Sequence, residues 1–324
     1  TILEKTEAEF PNLHLGYLVY AWYSDYPQRH RPHPRLYMAI ADITPSRLHG
    51  VGCDTSRGRA YYRDIVEQWG RLHREQGNKL SRLYYAYGQA NAYLPLSMLK
   101  IFGESIPFDH ANGVDQIRVA IYNCWEVMGA NNYVGAKLLW DHTLEWRALL
   151  HDFCARAYGA GADAMERYFL AMTERQYRAG IETGAFYAYP LIYDYAFIDA
   201  MDELLDEAGR AAQEPLQRRR VDFMRTQTWR LRRFRNYFEK RNAFDFTAAR
   251  QAYDDMIANL HEGIARNINF GSPAAETFLN SHAGTYLEQA LKYSGGDYRI
   301  VYRIPERLKT ALDRDRMGQH LRFY

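Results

Sequence analysis

The sequence predicts an α/β fold in residues 1–143 that gives way to an all-α domain over residues 144–295, and three observations predict it. Four short apolar or aromatic runs alternate with polar loops and helix-type segments between residues 13 and 125. From about residue 144 the apolar period changes to three and four and stays there. The chain has 324 residues, 47% of them hydrophobic, enough to bury a sizeable core in about two units.

The first run is "LHLGYLVYAW" (13–22), the second "RLYMAIADI" (35–43), the third "LSRLYYAYG" (80–88) and the fourth "DQIRVAIYNCW" (115–125). Between the second and third lies "SRGRAYYRDIVEQWGRLHREQG", where Tyr62, Ile65, Val66, Trp69 and Leu72 recur at helical spacing behind Ser56, a plausible N-cap. Strands alternating with helices imply parallel pairing through crossovers, and runs apolar on both sides imply strands buried on both faces. In the second half, Trp146, Leu149, Leu150, Phe153, Cys154 and Ala157 form one stripe that stops at Gly159. Further helices are expected near 162–179, 190–212, 215–241, 247–267 and 274–293. Residues 296–324 alternate again around a proline, as a linker or the start of a β-rich domain would.

Four β-α units suit either a small open sheet or the C-terminal half of a (β/α)8 TIM-type barrel, a fold of about 250 residues. The opening "TILEKTEAEFPNLHLGYL" resembles the end of a crossover helix running into a strand, which favours the half-barrel. On that reading the chain is an internal window of a longer protein, with the first four strands upstream of Thr1.

Composition narrows the function. Lys and Arg total 41 against 39 Asp and Glu, so no global field steers the chain toward nucleic acid or an anionic membrane. No apolar run approaches the ~20 residues of a membrane span, and the N-terminal residues are unlike a signal peptide. Cys53, Cys124 and Cys154 are far apart and in no CxxC arrangement, which reads as buried free thiols rather than a disulfide framework or zinc site. There is no His cluster with metal spacing, no glycine-rich phosphate loop and no GxSxG, so no cofactor is called for. Tyr, at 27, outnumbers Phe and Trp together, and its flat face with a hydroxyl suits half-wet clefts where rings stack, although most such residues fill cores.

In a barrel the chemistry sits at the carboxyl ends of the strands. After the first run come Trp22, Tyr23 and Asp25; after the second, Asp42; after the third, Tyr87, Gln89 and Asn91; after the fourth, Asn123, Trp125 and Glu126. Aromatic faces with carboxylates and amides suit a neutral polyhydroxylated ligand such as an oligosaccharide. Asp25 is equally well a turn residue before Pro27, Asp42 reads similarly before Pro45, and Asp54 reads as a loop or cap residue. Glu126 is the strongest ligand candidate, because a carboxylate directly after a buried strand must be paired or face a cleft.

Three stretches, "LVYAWYSDYP" (18–27), "LYYAYGQANAY" (83–93) and "NNYVGAKLLWDHTLEWRALLHDFCARAYGAGADAMERYF" (131–169), resemble the large bacterial proteins of glycoside hydrolase family 163. The resemblance spans most of residues 1–170 and only loosely the later helices. It implies a barrel followed by helices, a β-sandwich after the "RIPERLKTALDRDRMG" link, an exported protein, and endo-β-N-acetylglucosaminidase activity on N-glycans. The implied mechanism is substrate-assisted: the 2-acetamido oxygen attacks the anomeric carbon while one carboxylate steadies the acetamide and another protonates the leaving oxygen. The fourth run is also similar to the last barrel strand of family 20 hexosaminidases, which implies that Trp125 walls the pocket and Glu126 binds hydroxyls. Tyr87 and Asn123 stand where the family usually has acidic residues, and the implied catalytic pair lies upstream of Thr1, so the catalytic residues are unassigned.

Other readings stand beside this one. A barrel that binds carbohydrate without cleaving it is compatible with Tyr87 and Asn123, and an α-glucuronidase-like glycosidase would use the same fold on an acidic sugar. The basic segment "QRRRVDFMRTQTWRLRRFRNYFEKR" (217–241) has the composition of a nucleic-acid binder. Its stripe of Val221, Met224, Thr228, Leu231, Phe234 and Phe238 instead predicts an ordinary packed helix with arginines on its other faces.

Overall fold

The computed structural model describes residues 2–41, 46–84, 94–119, 125–183, 186–266, 276–277 and 279–294, with the backbone alone for Trp22, Tyr84, Glu126, Val127, Arg266, His282, Thr285, Tyr286, Gln289, Tyr293 and Ser294. After the short helix α1 (Ile2–Thr6), strands β1 (Leu15–Val19), β2 (Leu36–Ala41), β3 (Lys79–Tyr84) and β4 (Val114–Val119) form a four-stranded sheet in the order β1-β2-β3-β4. All three pairings are parallel, as the alternating pattern predicts. Residues 42–43, 85–88 and 120–124 of the expected strands lie outside the described residues, as do Cys124 and the segment 296–324.

The helix α2 (Arg57–Gln76) joins β2 to β3, and α3 (Leu99–Ala111) lies between β3 and β4. Ser56 caps α2 as its position predicts, its hydroxyl accepting from the Arg59 N–H at 3.2 Å. The stripe Tyr62, Ile65, Val66, Trp69 and Leu72 is buried against Val19, Met38, Ile40, Leu80 and Val114. Between β1 and β2, in contrast, only a 3₁₀ turn (Ala21–Tyr23) forms. Pro27, Pro32 and Pro34 crowd that connection, removing backbone donors and excluding a helix, so the expected strand-helix repeat fails at its first unit.

The expectation of strands buried on both faces also needs correction. The register pairs Tyr17, Met38, Leu80 and Val114 on the face that α2 covers. The opposite face carries Leu18, Tyr37, Ala39, Gln116 and Arg118, and there Leu18, Gln116 and Arg118 are exposed. On that face the Tyr37 hydroxyl reaches from β2 across β3 to the Gln116 carbonyl at 2.6 Å. The edge strands β1 and β4 are mostly open to solvent because, among the described residues, each has one strand neighbour.

From residue 125 the chain is helical among its described residues: α4 (Trp125–Trp140), α5 (Trp146–Tyr158), α6 (Ala162–Tyr177), α7 (Tyr189–Ile192), α8 (Tyr195–Ala211), α9 (Pro215–Asn242) and α10 (Phe246–Arg266). A π-helical turn (Asn280–Gly284) then leads into α11 (Thr285–Ser294). One continuous core joins α3 and α4 to these helices. α5 ends at Gly159, whose φ of 53° and the approach of Gln217 Nε2 to within 2.1 Å of any added Cβ require glycine. Buried amides tie the loops to the helices. Asn131 accepts from Met98 N–H and donates to Leu96 O, each at 2.8 Å, and Gln176 brackets Ser97 through its N–H at 2.9 Å and its carbonyl at 2.8 Å.

The stripe predicted for α9 is buried at Val221, Met224, Thr228, Leu231 and Phe234, then runs through Tyr237 rather than Phe238. Its arginines face acids of neighbouring helices: Arg225 pairs with Asp206, and Arg232 with Asp199 at 2.7 Å and Asp202 at 2.8 Å. Among the described residues no helix is long and apolar enough to cross a membrane, and no group of three or more His, Cys, Asp or Glu is arranged to hold a metal.

The feature that locks helices to sheet is an ion pair with both side chains fully buried, Arg82 on β3 with Asp109 on α3. The Arg82 guanidinium lies 4.1 Å from the centroid of the Tyr62 ring on α2, and the Tyr62 hydroxyl reaches Asp109 Oδ1 at 3.4 Å. Removing one partner strands a buried charge, so Arg82→Met or Asp109→Leu alone should cost about 3–5 kcal/mol in urea unfolding. The double variant should lose less than the sum of the two, and strictly additive losses would contradict the coupling. Burial also pushes the Cys154 thiol up to about 12. In a chain with Cys53 and Cys124 replaced by Ser, Cys154 should resist a thiol reagent at pH 8 and react on unfolding, and prompt reaction in the native state would show an open helical core.

Candidate functional site

Because the strands are parallel, all four end at one edge of the sheet, and the residues that follow them are the candidates for chemistry. After β1 the backbone enters the left-handed region at Ala21, with φ of 49°, a conformation non-glycine residues seldom adopt. This turn swings Trp22 and Tyr23 out of the strand direction into the 3₁₀ turn. The Ser24 hydroxyl closes it by donating to Ala21 O at 2.7 Å, and the buried Trp69 of α2 holds it by donating its indole N–H to Ser24 O at 2.9 Å. Strained backbone persists only where its surroundings hold it, and here Trp69 and Ser24 do so.

Tyr23 is exposed, and its ring lies 6.2 Å from Tyr17 and 6.4 Å from Tyr20 by centroids. Asp25 is exposed too, with Oδ1 accepting from the Tyr61 hydroxyl at 2.6 Å. That bond to Asp25 is the main reason the Tyr61 phenol is pushed above its ordinary range. Asp25 is thus tied to α2, with a carboxylate presented beside exposed aromatic faces. Of the weaker candidates, Asp54 sits in an exposed loop within 3.7 Å of Arg63, and Asp42 lies outside the described residues.

After β4 in the chain, Trp125 opens α4 and is 47% exposed, so its indole face is available for stacking. Glu126 is the second residue of the same helix. A carboxylate in the first helical turn is stabilised by the helix dipole, a reason for its position that needs no ligand. Tyr87, Asn91, Gln89 and Asn123 lie outside the described residues. Tyr23 and Asp25 therefore form one station after β1, and Trp125 begins the helix that follows β4 in the chain beyond residues 120–124, which lie outside the described residues. The two edge strands are three strand spacings apart, roughly 14 Å along the sheet, which suits an extended ligand better than a single small one.

Tyr61 is the residue that sequence reasoning missed. It precedes Tyr62 of the buried stripe and so points away from the core. The off-stripe position of a tyrosine on a helix flanking strand ends was the available signal.

Over residues 1–171 the chain matches the family described as Domain of unknown function (DUF4838), and since this is more than half of the sequence, the chain belongs to that family. No curated protein and no solved structure matches it.

The strained turn can be tested directly. Ala21→Val should destabilise the protein by about 1–3 kcal/mol in urea unfolding, because a β-branched residue resists a positive φ, whereas Ala21→Gly should be neutral or stabilising. A Val variant as stable as the parent would contradict the left-handed turn.

Proposed function

With membership of that family as the premise, we propose that this chain is the substrate-binding part of a glycoside hydrolase acting on a hexosamine-containing glycan, in the manner of an endo-β-N-acetylglucosaminidase. The observation that carries the reading is the turn after β1. It presents Tyr23 and Asp25 together at the carboxyl edge of the sheet, and Trp125 is exposed at the start of the helix that follows β4 in the chain. Aromatic faces bind the apolar side of pyranose rings, and a carboxylate with one oxygen already held accepts from a sugar hydroxyl.

The finer fold belongs to the same proposal: the sheet is half of a (β/α)8 barrel. Two features support it. The strands follow one another in space as in sequence, whereas doubly wound sheets reverse order at a switch point. The described helices α2 and α3 sit against one face, as they do around a barrel, and the uncovered face corresponds to the barrel interior. In such an enzyme the 2-acetamido oxygen is the nucleophile, Trp125 walls the sugar site and Glu126 holds hydroxyls, while the acid comes from strands outside this chain segment. A polymeric glycan as substrate also places the protein outside the cytoplasm.

Trp125→Ala should lower affinity for N-acetylglucosamine-containing oligosaccharides at least tenfold, about 1.4 kcal/mol, without changing the far-UV circular dichroism spectrum. Glu126→Gln should weaken binding or turnover on the same glycan panel without unfolding the protein. Unchanged behaviour of both variants across the panel would remove the proposed roles. Binding by the full-length protein with no turnover would identify a carbohydrate-binding barrel rather than a hydrolase.

A further inference from the structure

A second cleft, of about 610 Å³, lies where α4, α5 and α9 meet. Its walls are aromatic, with Trp125 and Tyr133 from α4, Phe153 from α5 and Phe223 from α9. Its floor is made by small residues of α4: a Cβ added at Gly129 would meet only Phe153 Cζ, at 3.9 Å, so the space beside it is open rather than closely packed. A helix bundle of this size ordinarily fills such a junction with side chains.

Polar groups mark the cleft as more than a packing gap. Asn132 lines it, is 8% exposed, and its Nδ2 has no hydrogen-bond partner among the described residues. A buried amide left unpaired loses the hydrogen bond it would make in water, a loss that a ligand acceptor would remove. Two guanidiniums, Arg156 and Arg220, line the cleft, and no carboxylate does among the described residues. Arg156 is held through Nε by Asp152 at 2.8 Å, and the Tyr133 hydroxyl donates to the same carboxylate. Both contacts keep the Asp152 carboxyl below its usual range, Tyr133 contributing most. Arg220 donates through Nη1 to Ala157 O at 2.8 Å and has no carboxylate partner among the described residues. The cleft therefore combines stacked rings, an unpaired amide and one positive charge more than Asp152 neutralises.

We infer that this cleft binds a small ligand with a flat or ring-shaped apolar body bearing a carboxylate, the ring held among Trp125, Phe153 and Phe223 and the carboxylate between Arg220 and Asn132. The inference does not rest on the glycosidase reading. Trp125 is the one lining residue shared with the strand-end set, and the charge and the unpaired amide belong to the cleft alone. An acidic sugar residue and an aromatic acid share this chemistry, and the test separates them.

The test is titration calorimetry of the native protein with N-acetylneuraminate, glucuronate and phenylacetate, with glucose and benzyl alcohol as neutral counterparts. At least one carboxylate should bind at least tenfold more tightly than its neutral counterpart and lose affinity as salt is raised. Gly129→Leu, which fills the cleft, should abolish that binding. Arg220→Gln, which keeps a donor for Ala157 O but removes the charge, should weaken it at least tenfold. Should Gly129→Leu fail to fold, Ala136→Leu at an exposed position of the same wall serves in its place. Preference for the sugar acids or for phenylacetate identifies the source of the carboxylate. Equal affinity for neutral and acidic compounds, no binding by any of them, or a self-association that Gly129→Leu disrupts would each overturn the inference, the last by showing that a second copy covers the cleft.

Discussion

The buried pair of Arg82 and Asp109 beneath Tyr62 is the constraint from which the rest of this architecture follows. An ion pair out of reach of water is tolerated only with good geometry and further partners, and here one strand and two helices each supply a component. Satisfying it places α2 and α3 on the same face of the sheet. Once both helices lie there, the other face has no helical cover among the described residues, and the edge strands stay open. A one-sided, sequentially ordered parallel sheet is what the half-barrel proposed above would present.

The same packing positions the strand-end residues. Trp69 belongs to the buried stripe of α2, yet its indole N–H reaches out of the core to hold Ser24, and Tyr61 on the neighbouring face of that helix holds Asp25. The turn at Ala21 keeps its unusual backbone because Ser24 and Asp25, which follow it, are both fastened to α2. Core packing and site geometry are thus two uses of one helix, and a change in the register of α2 would move Asp25 with it.

Local physics made the helices legible in the sequence. Ser56 stands where an N-cap must, Gly159 where a positive φ is required, and the stripe of α9 was readable through Phe234 because helical periodicity is a property of neighbouring residues. The first crossover was misread because a strand-helix repeat was extended over a proline-rich segment. The burial of the strands was misjudged because an apolar run does not say whether a second layer exists to cover it. Of the candidate site, Tyr23 and Asp25 follow β1 directly, while residues 120–124 between β4 and Trp125 lie outside the described residues. Tyr61 left only its off-stripe position as a signal, and the cleft lined by Asn132, Arg156 and Arg220 was not legible, since it arises where helices distant in sequence meet.

The most direct test of the central claim, that the carboxyl edge binds a sugar chain, is saturation-transfer NMR of the protein with a chitin-type oligosaccharide. The account predicts transfer to the ring protons and acetamido methyl groups of at least two adjacent residues, as an extended ligand spanning the stations after β1 and β4 would show. Absence of transfer at saturating oligosaccharide, or transfer confined to a single terminal ring, would contradict it.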